Sequence, residues 1–78
     1  MNHAFIAVRG GEYRIIDTLE GAKAIDASGW RLAGAVVVPE NFEALYQVFP
    51  NEGPQPEIDR ILLIEAAREY TARVRKEV

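Results

Sequence analysis

Apolar and polar positions divide the chain into short runs of different period. Ala4-Phe5-Ile6-Ala7-Val8 and Tyr13-Arg14-Ile15-Ile16-Asp17-Thr18 flank Arg9-Gly10-Gly11-Glu12. Two strand-forming runs joined by Gly-Gly predict a β-hairpin, because glycine tolerates the positive φ of the tight primed turns. With Gly10 and Gly11 as the loop residues the register follows. Arg9 faces Glu12, Val8 faces Tyr13, Ala7 faces Arg14, Ile6 faces Ile15 and Phe5 faces Ile16. The opposite charges of Arg9 and Glu12 agree with that register, and such an exposed pair adds a few tenths of a kcal/mol, about 0.2–1.

Helical spacing follows. Leu19, Ala22 and Ile25 recur every three residues, with Thr18 as an N-cap and Glu20 in the first turn, so Leu19 to about Ser28 reads as a short helix. Gly29 is placed to end it, with Trp30 folding back onto the last turn. Arg31 to Val38, almost continuously apolar and rich in valine, predicts a strand covered on both faces and closed by Pro39. Phe42, Leu45, Tyr46 and Phe49 fall at i, i+3, i+4 and i+7, which predicts a helix over residues 40–49. The turn-rich segment from Pro50 to Pro56 ends it. From about Glu57 to the end, Leu63, Ala67, Tyr70, Val74 and Val78 form one helical stripe. The beginning of that helix, with Ile58, Ile61, Leu62, Leu63 and Ile64, is apolar nearly all round and calls for cover on two sides, within the domain or from another chain.

These elements predict a single α+β domain over residues 1–78, in the order β-β-α-β-α-α. A small three-stranded sheet packs with three helices, the C-terminal one longest. A strand reached from the second strand through a helix runs parallel to that second strand. The third strand then lies beside the first, in spatial order 2-1-3. One sheet face would carry Ile6, Val8, Tyr13, Ile15, Leu32, Val36 and Val38, large residues suited to a core. The other would carry Phe5, Ala7, Ile16, Ala33, Ala35 and Val37, edged by Arg9, Glu12, Arg14 and Arg31. A small-residue apolar centre with a charged rim is the anatomy of a protein interface. Either the C-terminal helix or a partner chain covers that second face. The candidate interface residues are Phe5, Ile16, Ala33, Ala35, Val37, Arg14 and Arg31 on the sheet, with Ile58, Ile61 and Leu62 on the last helix.

Composition narrows the functional classes. At 78 residues there is one small core, burying roughly 60–65% of the unfolded chain's surface, and no room for a separate catalytic domain. Twelve acidic and nine basic residues give a net charge of −3, which argues against direct binding to nucleic acid or to an anionic membrane. Cysteine is absent, which excludes disulfides, thiolate catalysis and cysteine-held metals and is compatible with a cytoplasmic location. The first residues lack the regions of a signal peptide, and no apolar run approaches the length of a membrane span.

Candidate chemistry is sparse. Met1-Asn2-His3 has the spacing of a square-planar copper or nickel chelate, but it leads directly into the first strand. Gly10-Gly11 lacks the glycine spacing, lysine and following helix of a phosphate loop. The carboxylates of Asp17 and Glu20 are accounted for by helix capping, and Asp26 and Glu43 have no catalytic partner. Arg68, Arg73, Arg75 and Lys76 suit the negative end of the last helix dipole. Trp30 is either an exposed binding anchor or a packing residue. No enzyme activity, metal or cofactor is expected. The expected function is a small non-catalytic protein-binding module, homodimeric or part of a protein complex. The alternative is a compact acidic inhibitor of the phage type, directed at a host nucleic-acid-handling complex. Grouping of Glu40, Glu43, Glu52, Glu57 and Asp59 on one surface would mark that alternative.

Overall fold

The computed structural model describes residues 2–50 and 56–76, with the backbone alone at Asp26 and Ala27. The described residues form an α+β fold: a four-stranded antiparallel sheet with two α-helices. The strands are β1 (Asn2–Arg9), β2 (Glu12–Ile16), β3 (Arg31–Val38) and β4 (Leu45–Val48), in spatial order β2-β1-β3-β4. Helix α1 (Leu19–Ala24) runs into a 3₁₀ turn at Ile25–Ser28, and α2 spans Pro56–Lys76.

The hairpin has the register its sequence implies at all five pairs, from Phe5↔Ile16 to Arg9↔Glu12. Gly10 and Gly11 take φ of 55° and 84°, the left-handed values a two-residue primed turn requires. Thr18 caps α1, its hydroxyl accepting from the Gly21 N–H at 3.1 Å. Gly29, at φ 80°, ends the 3₁₀ turn and turns the chain into β3. β3 lies antiparallel beside β1, as the order 2-1-3 requires.

Two expectations are corrected. The segment read as a helix over 40–49 is a turn followed by β4, so the sheet has four strands rather than three, and two α-helices stand where three were expected. The turn is built locally: the Phe42 N–H donates to the Pro39 carbonyl, the Asn41 side chain accepts from the Glu43 N–H, and Phe42 sits at φ 60°. A left-handed, non-glycine residue there breaks a helix before its first turn closes. Leu45-Tyr46-Gln47-Val48 then pairs with β3, whose outer main-chain groups would otherwise be unpaired.

The second correction concerns the faces of β3. Ile6 pairs with Gly34 but Ala7 pairs with Leu32, so Ala33 is the extra residue of a β-bulge. A bulge reverses the side-chain alternation beyond it. Leu32 therefore joins the second face with Ala7 and Trp30, while Ala33 turns to the first and packs with Val8 and Leu62.

Each sheet face has its own cover. Helix α2 lies on the first face, where Ile6, Val36, Val38, Leu63, Ala66, Ala67, Tyr70 and Val74 form one buried cluster. Ile6, Val8, Val36, Val38 and Leu63 are the largest fully buried side chains, each stabilising the fold by about 1.5–3 kcal/mol. The Tyr70 hydroxyl donates to the His3 carbonyl at 3.1 Å, fastening α2 to β1. On the second face, α1 and the 3₁₀ turn close a smaller cluster of Ala7, Ile16, Ala22, Ile25 and Trp30. The C-terminal helix thus covers the face of large residues and not the second face. The connector at 51–55 and the stripe position Val78 lie outside the described residues.

Candidate functional site

The fold divides the expected interface residues into three groups. Ile16, Ala33 and Leu62 are buried inside the domain, Ile16 in the cluster with Ala22 and Trp30 and the other two against Val8. Arg14 and Arg31 have intramolecular partners. Arg14 and Arg9 each place a guanidinium 4.6 Å from the centre of the Trp30 ring. Arg31 is ion-paired with Asp59, a buried carboxylate on the first turn of α2. Trp30, 6% exposed, is a packing residue. Phe5, Ala35 and Val37 are half-buried on the second sheet face, and Ile58 and Ile61 are exposed on α2. The all-round apolar start of α2 is therefore buried on one side only.

The second sheet face is covered over β2 and β1 and open over β3 and β4. Cross-strand partners share a face, so the pairs Ala35↔Gln47 and Val37↔Leu45 put all four side chains on the open side. They line, with Pro39 and Tyr46, a shallow groove of about 330 Å³. Leu45 is 67% exposed there. On the α2 side of the sheet, Tyr46 and Val48 are 48% and 41% exposed. A second groove, of about 430 Å³, runs between β4 and α2 and is lined by residues including Ala44, Tyr46, Ile64, Arg68 and Arg75.

The edge of β4 adds main-chain groups to this apolar surface. The Phe49 N–H donates to the Ala33 carbonyl at 2.9 Å, continuing the β3–β4 register by one pair. In an antiparallel ladder residues alternate between pointing their N–H and C=O toward the neighbouring strand and away from it. Residues 45, 47 and 49 thus point toward β3, and Tyr46 and Val48 point outward, where no described strand pairs with them. β2, the other edge of the sheet, carries Glu12 and Arg14, the kind of charge that blunts an edge. Leu45–Val48 carries neither charge nor proline. An apolar groove and an open, uncharged edge beside it are the two features that strand addition uses.

Among the described residues, no group of three or more His, Cys, Asp and Glu side chains is placed to hold a metal ion. Tyr13 is an ionisable group with a clear displacement. Its hydroxyl donates to Glu69 Oε1 at 2.9 Å, and that hydrogen bond, with lesser desolvation and the charge of Glu69, raises the phenol above its ordinary 10.0. Of the acidic set that would mark a phosphate mimic, Asp59 is turned inward onto Arg31, and Glu52 lies outside the described residues. Leu45, Tyr46 and Val48 are absent from the residues expected at an interface, because their segment reads as a helix. The signal that would have found them is β-propensity: tyrosine, valine and phenylalanine crowd the four residues before Pro50.

Comparison of the chain with protein-family models, with curated proteins and with solved structures finds no match.

Proposed function

We propose that the protein is a small non-catalytic protein-binding module, homodimeric or part of a protein complex, that engages its partner through the open half of the second sheet face. The observation that supports this reading is Leu45, 67% exposed on an edge strand beside half-buried Ala35 and Val37. A contiguous apolar patch of this kind marks an interaction surface, whereas isolated exposed apolar residues do not. The net charge of −3 favours a protein partner over nucleic acid or an anionic membrane. In this reading the protein works in the cytoplasm, a setting compatible with a chain that has no cysteine. No helix among the described residues is long and apolar enough to cross a membrane.

Val37→Glu tests the reading, because it places a carboxylate in the groove without touching the core under α2. Affinity purification from the native cell should recover a partner with the parent chain and lose it with the variant, both folded by circular dichroism. Equal recovery of the same partner by both chains overturns the proposal.

A further inference from the structure

We propose that β4 pairs with β4 of a second copy, joining two four-stranded sheets into one across a two-fold axis. The proposal rests on the reading above only in taking the protein as a binding module; it concerns the strand edge, not the groove of the second face. Its basis is the direction of the main chain. Tyr46 and Val48 point their N–H and C=O outward, and Ala44, just before β4, lines the α2-side groove with Tyr46, so the pairing extends the same alternation to it.

Antiparallel pairing about an axis at Tyr46 sets Tyr46 opposite its own copy and Val48 opposite the partner copy's position 44. Every outward group then meets an outward group, in about six main-chain hydrogen bonds, two for each facing pair. The same register sets Leu45 opposite Gln47 on one face and brings the two Tyr46 rings together on the other. Glu43 falls opposite Phe49, so no like charges meet along the paired strands themselves. A strand whose hydrogen-bonding pattern is complementary to itself under a two-fold operation suits an isologous interface. β4 is an edge strand of the sheet, so no described strand occupies the place the incoming strand would take.

Sedimentation of the purified full chain over a concentration series tests the pairing. The parent chain should pass from monomer to dimer. Tyr46→Lys, at a half-exposed position, sets two ammonium groups opposite each other at the axis and should weaken the dimer by about tenfold or more. An equal mixture of Tyr46→Lys and Tyr46→Glu chains should restore it as a heterodimer. Amide exchange of the parent chain gives a reading that needs no variant. The amides of Tyr46 and Val48 should slow as concentration rises, while that of Gln47, already directed at β3, stays constant. A strict monomer at millimolar concentration overturns the proposal. So does a dimer that ignores Tyr46→Lys and leaves both amides fast. The groove reading fails separately, by equal recovery of partner with Val37→Glu.

Discussion

At Gly34 an added methyl would overlap the carbonyl oxygen of Gln47 and lie 2.8 Å from Cδ2 of Leu63. Gly34 sits where β3 passes between its neighbours β1 and β4 and under α2, one residue beyond the bulge. The requirement is space rather than a left-handed backbone, because the obstruction is main chain that no rotamer change can move. Gly34→Ala should therefore cost about 1–3 kcal/mol, the range for overpacking a filled core. Urea denaturation measures it. Combining it with Leu63→Ala should not restore stability: truncating Leu63 removes only the side-chain part of the clash and costs a further ~2–5 kcal/mol of its own. Tyr13 gives the pH dependence. Its phenol is raised in the folded chain by the hydrogen bond to Glu69, so folding favours the protonated form. The sign follows from linkage: the contribution is intact below 10.0 and declines as pH rises through the folded value. Stability measured between pH 9 and 11 should fall more steeply for the parent chain than for Tyr13→Phe.

At the scale of elements, the hairpin was legible because three independent signals agree on it. Gly10-Gly11 sets the turn and with it the register, the apolar positions set the alternation, and the opposite charges of Arg9 and Glu12 agree with both. Helix α2 was legible from the stripe of Leu63, Ala67, Tyr70 and Val74, all buried. β4 was not, because the spacing of Phe42, Leu45, Tyr46 and Phe49 fits one face of a helix as well as it fits a turn and a strand. The deciding facts are tertiary: an outer edge of β3 in need of partners, and a turn at Pro39–Phe42 that fixes the chain before a helix can begin. The bulge at Ala33 is illegible for a related reason. Nothing in Leu-Ala-Gly-Ala marks which residue is extra until β1 is laid beside it. That one shift exchanges Leu32 and Ala33 between faces, so the candidate surface moves from the middle of β3 outward to β4. Ala35 and Val37 stay on the open half because they lie on the C-terminal side of the bulge, where the expected alternation holds, while Phe5, opposite Ala35, packs at the margin of the covered cluster.

For the whole molecule, one sheet carries buried clusters on both faces, and β1 contributes to both sides. Ile6 and Val8 point toward α2, while Ala7 points toward Ile25 and Trp30. The layer of α1 and the 3₁₀ turn is only ten residues long, from Leu19 to Ser28, too short to hold helical structure by itself in water. It persists because Ala22 and Ile25 pack on the sheet, and the sheet in turn is held flat against α2. The two layers should therefore unfold as one cooperative unit. The chain supplies a separate probe for each: Trp30, the single tryptophan, reports the second-face cluster, and far-ultraviolet circular dichroism is dominated by α2. Urea transitions followed by the two signals should coincide, with a slope of about 1–2 kcal/mol per molar for a chain of this size. Leu63→Ala, which touches only the α2 cluster, should move both midpoints by the same amount. If the tryptophan signal were lost at lower urea while the helix signal stayed in place, the second-face layer would be an independently melting cover. The open half of that face would then extend over Ala7 and Ile16 whenever the cover came off. Coincident transitions instead confine the available surface to β3 and β4, where Leu45 is already exposed in the folded state.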